Sequence, residues 1–254
     1  MKILFSLLCL AAGCVSLSAA PQWIAHLSAN DDFKSDILVR NDSFDETLSV
    51  TLNFFASDGG EAAVTLTDAA GQQNAVRRWE VTLAPQTAAL VQLQSVTGGD
   101  NRSVQARVDA LNQSNEETTL LAVEASFTRF EAGTAVSKVG VALSAPARIF
   151  KVNTPASEPR GFGITNTDPG QSCECTFTLV GNDGTQLGTT TASIPAHAKW
   201  LGVVDTLFPG YATTLNSELG SINALCSTPV VVQGLAFNGT VTSGIPTTGF
   251  NLSP

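Results

Sequence analysis

Between Leu48 and Phe54 the chain alternates: Leu48, Val50, Leu52 and Phe54 are apolar, and Ser49, Thr51 and Asn53 between them are polar. A period of two sends successive side chains to opposite faces, so this is a strand with one buried face. The same alternation recurs at 37–39, 104–108, 121–127, 162–164 and 222–226, with Thr, Val and Phe favouring extended backbone. Ser57-Asp58-Gly59-Gly60 and Asn182-Asp183-Gly184 punctuate these runs as turns, where glycine accepts the positive φ of a tight hairpin. No stretch after residue 20 has the 3.6-residue period of an amphipathic helix. Short strands with turns roughly every 8 to 12 residues predict an all-β chain, with immunoglobulin-like β-sandwiches expected and jelly-roll sandwiches as the alternative. Each strand has one apolar face, and stacking two sheets hides both.

The pattern is written twice. At an offset of 125, Pro21 falls on Pro146, Ile24 on Ile149, Val39 on Ile164, Asn41 on Asn166, Val50 on Cys175, Phe54 on Leu179 and Asp58 on Asp183. Beyond that turn the first copy has 14 extra residues before Leu83-Ala84-Pro85 meets Ile194-Pro195-Ala196. Ser103-Val104 then meets Ser221-Ile222, and Phe127 meets Phe237. An ordered series of this kind predicts a duplication, with units over 21–143 and 146–254 joined by the short linker around Ser144-Ala145-Pro146. Each unit is long enough for its own core.

Strands ending in Asn (ILVRN, GITN), alternating strands running into an Asp-Gly turn, then L-x-P or I-P-A, and a closing LAFN before SGIP together resemble tandem immunoglobulin-like repeats of secreted bacterial proteins. The resemblance covers nearly all of the chain after residue 20. It implies surface or periplasmic modules and brings no functional residue with it.

Residues 1–20, MKILFSLLCLAAGCVSLSAA, carry Lys2, an apolar run from Ile3 to Ala12 and a small-residue end, the three-part pattern of an export signal. Within it, Ala11-Ala12-Gly13-Cys14 resembles a lipoprotein box, which makes Cys14 a candidate lipidation site and a lipid-anchored form the alternative to a free one. No later run approaches the ~20 apolar residues of a membrane-spanning helix. The expected location is outside the cytoplasm: periplasmic, on the cell surface or secreted. The formal charge is −9, which argues against nucleic acid and other polyanionic partners. The acid is uneven: residues 21–142 hold sixteen Asp/Glu against eight Lys/Arg, and residues 143–254 six against four.

Cys173, Cys175 and Cys226 follow the leader, and an oxidising compartment favours their pairing. Alternation turns Cys173 and Cys175 to one inward face and Cys226 to another, so a disulfide between Cys175 and Cys226 is expected, with Cys173 the alternative partner. Valines occupy the corresponding inward positions of the first copy, Val50 and Val108. Three cysteines are too few for structural zinc, and His26 and His197 fall in different units. Both histidines are expected in exposed loops or at strand ends, without a GxSxG or a phosphate loop beside them.

Three acidic loops, around Asn30-Asp31-Asp32, Asp42 to Glu46 and Asp58 to Glu61, match no calcium-loop spacing and suggest a solvated acidic surface. Trp23, Trp79 and Trp200 lie in or beside strands, where packing is their ordinary role. Leu207, Phe208 and Tyr211 form an apolar loop, either a contact surface or a lid over the core. With no catalytic set assembled and no cofactor motif, the expected function is non-enzymatic: a structural, adhesive or protein-interaction module at the bacterial envelope, with a protein or glycan partner. A carbohydrate-binding module is the alternative, and a carboxylate-based hydrolase is the remaining enzymatic reading.

Overall fold

The structure is a computed structural model that describes residues 21–97, 103–141, 143–154, 160–211, 220–238, 241–245 and 247–250. The export signal and Cys14 lie outside the described residues. The first unit contains β1 (Gln22–Ser28), β2 (Phe33–Asn41), β3 (Leu48–Ala56), β4 (Ala63–Asp68), β5 (Gly71–Val76), β6 (Arg78–Leu83), β7 (Ala88–Thr97), β8 (Ser103–Leu111), β9 (Leu121–Glu131), β10 (Thr134–Val141) and β11 (Leu143–Ser144). The second contains β12 (Ala147–Thr154), β13 (Arg160–Asn166), β14 (Cys173–Val180), β15 (Gln186–Ile194), β16 (Lys199–Val203), a one-turn helix α1 (Val204–Leu207), a 3-10 turn (Pro209–Tyr211), β17 (Gly220–Asn238), β18 (Val241–Ile245) and β19 (Thr247–Phe250).

In the first unit a sheet of order β11-β1-β8-β3-β6 faces a sheet of order β10-β9-β2-β7-β4-β5, with antiparallel pairing throughout. Ile24, Leu52 and Phe54 from one sheet and Ile37, Val64 and Val91 from the other close a single core. The protein is therefore an all-β sandwich. The immunoglobulin strand order needs correction, however. That order places the first two strands side by side, whereas here β1 pairs with β8 and β11, and β2 pairs with β7 and β9. The order β1-β8-β3-β6 against β2-β7-β4-β5 is that of a jelly roll. The first two strands part because the turn between them carries the chain from one sheet to the other, and the residues from Ala63 to Val76 form a hairpin, β4–β5, that extends the second sheet by two strands.

The second unit repeats the scheme without that hairpin. β19-β12-β17-β14-β15 form one sheet, while β13, with β16 and the far end of β17, forms the other. The 19-residue β17 serves both sheets: Ile222 to Cys226 pair with β14, and Val230 to Ala236 pair with β13. In the first unit the same path is two strands, β8 and β9, separated by the loop 112–120.

The duplication extends to individual hydrogen bonds. The fully buried Asn41 donates from Nδ2 to the carbonyls of Glu46 (2.8 Å), Leu83 (3.1 Å) and Ala84 (3.2 Å). Asn166, equally buried, donates to Gln171 (2.7 Å), Ile194 (3.1 Å) and Pro195 (3.1 Å). Each Asn thus satisfies its own buried amide and ties its strand to the loop that follows it and to the turn at Leu83-Ala84 or Ile194-Pro195. The turns that follow match as well: Gln86 and His197 both take positive φ, 58° and 55°, as do Gly59 and Gly184, 94° and 85°. One correspondence slips. Val50 and Val108 are both inward and buried, but Val50 lies opposite Ala110 and Val108 opposite Leu52, so they are not a facing pair.

Candidate functional site

The two sandwiches meet across β1. Its Ile24 and Leu27 point into the first core, while Trp23 and Ala25 on the other face are buried against the second unit together with Phe55 and Val231. The second unit contributes the turn between β15 and β16. There the His197 ring sits 4.5 Å from Phe55 and 5.8 Å from Trp23, and Trp23 lies 5.5 Å from Phe55. A Cβ on Gly59 would fall 2.2 Å from the Ala196 carbonyl oxygen, so the approach requires glycine. Backbone and side chains stitch the contact: Lys199 N–H donates to the Ser57 carbonyl (2.9 Å), the Gln105 amide to the carbonyls of His197 (2.7 Å) and Ala56 (2.9 Å), and Thr165 Oγ1 to that of Ala25 (3.3 Å).

Inside this contact lies a pair of basic groups. Lys199 Nζ donates to the Val104 carbonyl (3.2 Å) and stands 3.5 Å from His26 Nδ1, while His26 Nε2 is 3.0 Å from Ser28 Oγ. Burial brings Lys199 down to about 7. Burial first, and then the charge of Lys199, hold His26 well below the ordinary imidazole value. His197 is lowered too, by burial and then by Arg107, with Asp168 opposing. His26 is therefore a buried junction residue and not the exposed histidine expected from sequence.

Beside the pair a groove of about 220 Å³ opens between the units. Phe33, Phe127 and His26 form one wall, and Gly161, Gly163, Leu201 and Val203 the other. It is apolar, and no carboxylate is among the described residues that line it, so a paired-carboxylate hydrolytic set is not assembled there. Lys199, whose lowered pKa would suit a nucleophile, stands outside the lining.

The remaining candidates resolve into structure. Cys175 and Cys226 sit directly opposite each other on β14 and β17, with Sγ atoms 2.07 Å apart and Cα atoms 4.1 Å apart, the close approach of facing residues in an antiparallel ladder. Cys173 is a buried thiol with Sγ 3.6 Å from that of Cys175. The three sulfurs cluster within 4.8 Å, but the disulfide engages two of them, which leaves no thiolate set for a metal. Phe208 is buried in the second core, and the half-buried Leu207 and Tyr211 pack against it, so this loop closes over the core as a lid. Trp79 is buried and donates to Asp68 (2.7 Å), and Trp200 stacks on Phe177 at 5.1 Å. The acidic loops use their oxygens locally: Asn30 Oδ1 and Asp58 Oδ1 accept from backbone N–H groups of their own turns, and Asp42 pairs with Arg40.

The signal for the junction was weak in sequence. Lys199 and Gln105 sit at outward positions of strands and become buried only because another unit covers that face. Among the described residues, no helix is long and apolar enough to cross a membrane.

No family model matches the chain, and no curated protein matches it. Among solved structures it is similar to a calcium-binding mutant of Bacteroides uniformis beta-glucuronidase 2, at 13% identity and a TM-score of 0.16, over 92% of this chain and 26% of that one. The same enzyme covalently bound to cyclophellitol-6-carboxylate aziridine aligns at 12% identity and 0.16 over 91% and 26%. An anti-sigma factor domain-containing protein aligns at 11% identity and 0.14 over 89% and 82%. The chain thus spans about a quarter of the beta-glucuronidase, and at these scores the likenesses carry no argument.

Proposed function

We propose that this protein is an exported, non-enzymatic module of the bacterial cell envelope, structural or adhesive, that works by presenting surfaces to a protein partner. The observation that carries the reading is the junction: aromatic packing, backbone hydrogen bonds and a buried Lys199–His26 pair fix the two sandwiches against each other. A reacting site, by contrast, needs polar groups converging on an accessible hollow, and the groove at the junction is apolar. The Cys175–Cys226 disulfide suits an oxidising compartment, whether periplasm, cell surface or medium, and whether the chain is free or anchored through Cys14. A glycan-binding role has less support, because Trp23 and Trp79 are buried and Trp200 is stacked inside its unit, leaving no tryptophan platform among the described residues.

Cell fractionation followed by in-cell crosslinking tests the reading. The full chain is expected outside the cytoplasm and in discrete crosslinked adducts, while a chain lacking residues 1–20 stays inside and forms none. Turnover of a chromogenic glycoside or ester panel by the purified protein, abolished by a single carboxylate substitution, would overturn it.

A further inference from the structure

We propose that one copy of this chain docks head to tail on the next: the tip of the first unit seats on the outer face of the β12–β14–β17 sheet of a second copy. The proposal rests on the interaction-module reading and names its partner. The chain already contains one contact of this kind, because the outer face of the β1–β3–β8 sheet is covered by the tip turn of the second unit, residues 195–198. Since the two units repeat each other down to single hydrogen bonds, each has such a tip and such a face, and one of each is left over. Gly59 is pressed against Ala196, whereas a side chain on Gly184, at the same turn of the second unit, would meet nothing within 4 Å.

Both surplus surfaces expose large apolar side chains. At the first tip Phe44 is 87% exposed, with Leu120 beside it through the Asp42 N–H to Leu120 carbonyl bond. On the outer sheet face Leu225 and Phe250 are 57% and 50% exposed beside a groove of about 590 Å³ that Arg148 and Ile149 also line. Such side chains, grouped and not scattered, mark contact surfaces. Their charges are complementary. The tip carries Asp45, Glu46, Glu116 and Glu117, the last two on the loop 112–120 that the second unit lacks. The sheet face carries Arg148 and Lys151, against one carboxylate, Glu174, which Ser193 already engages. A contact between two different surfaces of identical chains leaves one free surface at each end of a dimer, so it propagates into a row, or into a ring where the rotation closes.

Sedimentation velocity of the mature full chain tests this over rising concentration up to about 1 mM. The expected result is a ladder of dimers and longer rows that shrinks in high salt. Phe44→Glu and Leu225→Glu alter exposed side chains, and each alone should weaken association at least tenfold. Mixed, they should form 1:1 dimers and nothing longer, because each retains one intact surface. A wild type that stays monomeric throughout, rows indifferent to both substitutions, or a closed dimer that mixing does not restore would each overturn the proposal. A monomer that instead binds a different envelope protein through the Leu225 face would also overturn it, while leaving the interaction-module reading standing.

Discussion

The two halves solve the same folding problem with different reinforcements. The first widens its second sheet with the β4–β5 hairpin, and its β8 and β9 are separate strands. The second omits the hairpin, runs β17 unbroken through both sheets and pins it to β14 with the Cys175–Cys226 bond. What they share is the polar frame of the turns, above all Asn41 and Asn166. The comparison teaches that the buried amide network defines the unit, while strand number and cross-linking can vary around it.

The sharpest way to separate the halves is reduction. Cys226→Ala, or a strong reductant, opens a loop spanning 51 residues and should cost the second unit about 4 kcal/mol, with the first nearly untouched. Two calorimetric transitions that diverge under reductant would establish it, and equal shifts in both would break the contrast.

The next largest effect concerns Lys199, whose counterpart in the first unit is the exposed Ala88. Above pH 10.5 the amine is neutral folded or unfolded. Between 10.5 and about 7 the unfolded chain takes up a proton that the folded one refuses, so stability falls as pH falls, and below about 7 the loss is complete. His26 adds a second decline starting near its ordinary 6.5. Lys199→Met should remove the first decline, worth a few kcal/mol, as read by urea midpoints from pH 6 to 10.5. An unchanged slope would mean that Lys199 is solvated.

If the amide frame defines the unit, Asn41→Ala and Asn166→Ala should each cost about 3 kcal/mol in their own half, since each removes a buried amide's hydrogen bonds to three backbone carbonyls. Markedly unequal costs would show that the repeats differ where they look most alike. The smallest effect is the finest discriminator. Gly184→Ala should cost only the about 1 kcal/mol of its positive φ, and Gly59→Ala about 1 to 2 kcal/mol more, because its methyl also strikes the Ala196 carbonyl. Greater protease sensitivity at the junction should accompany Gly59→Ala alone.

Much of this was legible in the alternation. The inward faces of β3, β14 and the first part of β17, with Cys175 and Cys226 on them, follow from period two, and the Asp-Gly turns and the duplicated Asn from the offset of 125. The strand order was less so. Fourteen extra residues can be a loop or a hairpin, and only pairing with β7 decides that they complete a jelly roll. The alternating run at 222–226 is only the first part of β17, which continues past Pro229 as it passes from one sheet to the other. The junction was hardest, because period two separates inside from outside for one sandwich and is silent about which outside a second sandwich covers. Trp23, read as core or sheet-face packing, proved to be buried between two units.

That placement of β1 bears on how the chain is made. The strands of the first unit are complete once residue 144 has emerged, but its Trp23–Phe55 face stays bare until His197 and then Val231 arrive, about 50 and 90 residues later. At ordinary synthesis rates that is an interval of roughly 3 to 17 seconds in which an aromatic patch is presented to whatever surrounds the nascent chain. The acidic loops of the first unit, synthesised before that interval, give the half-made protein a repulsive coat through it. A chain truncated before the turn at 195–198 would keep the patch permanently and should aggregate, although the strands of its first sandwich are complete.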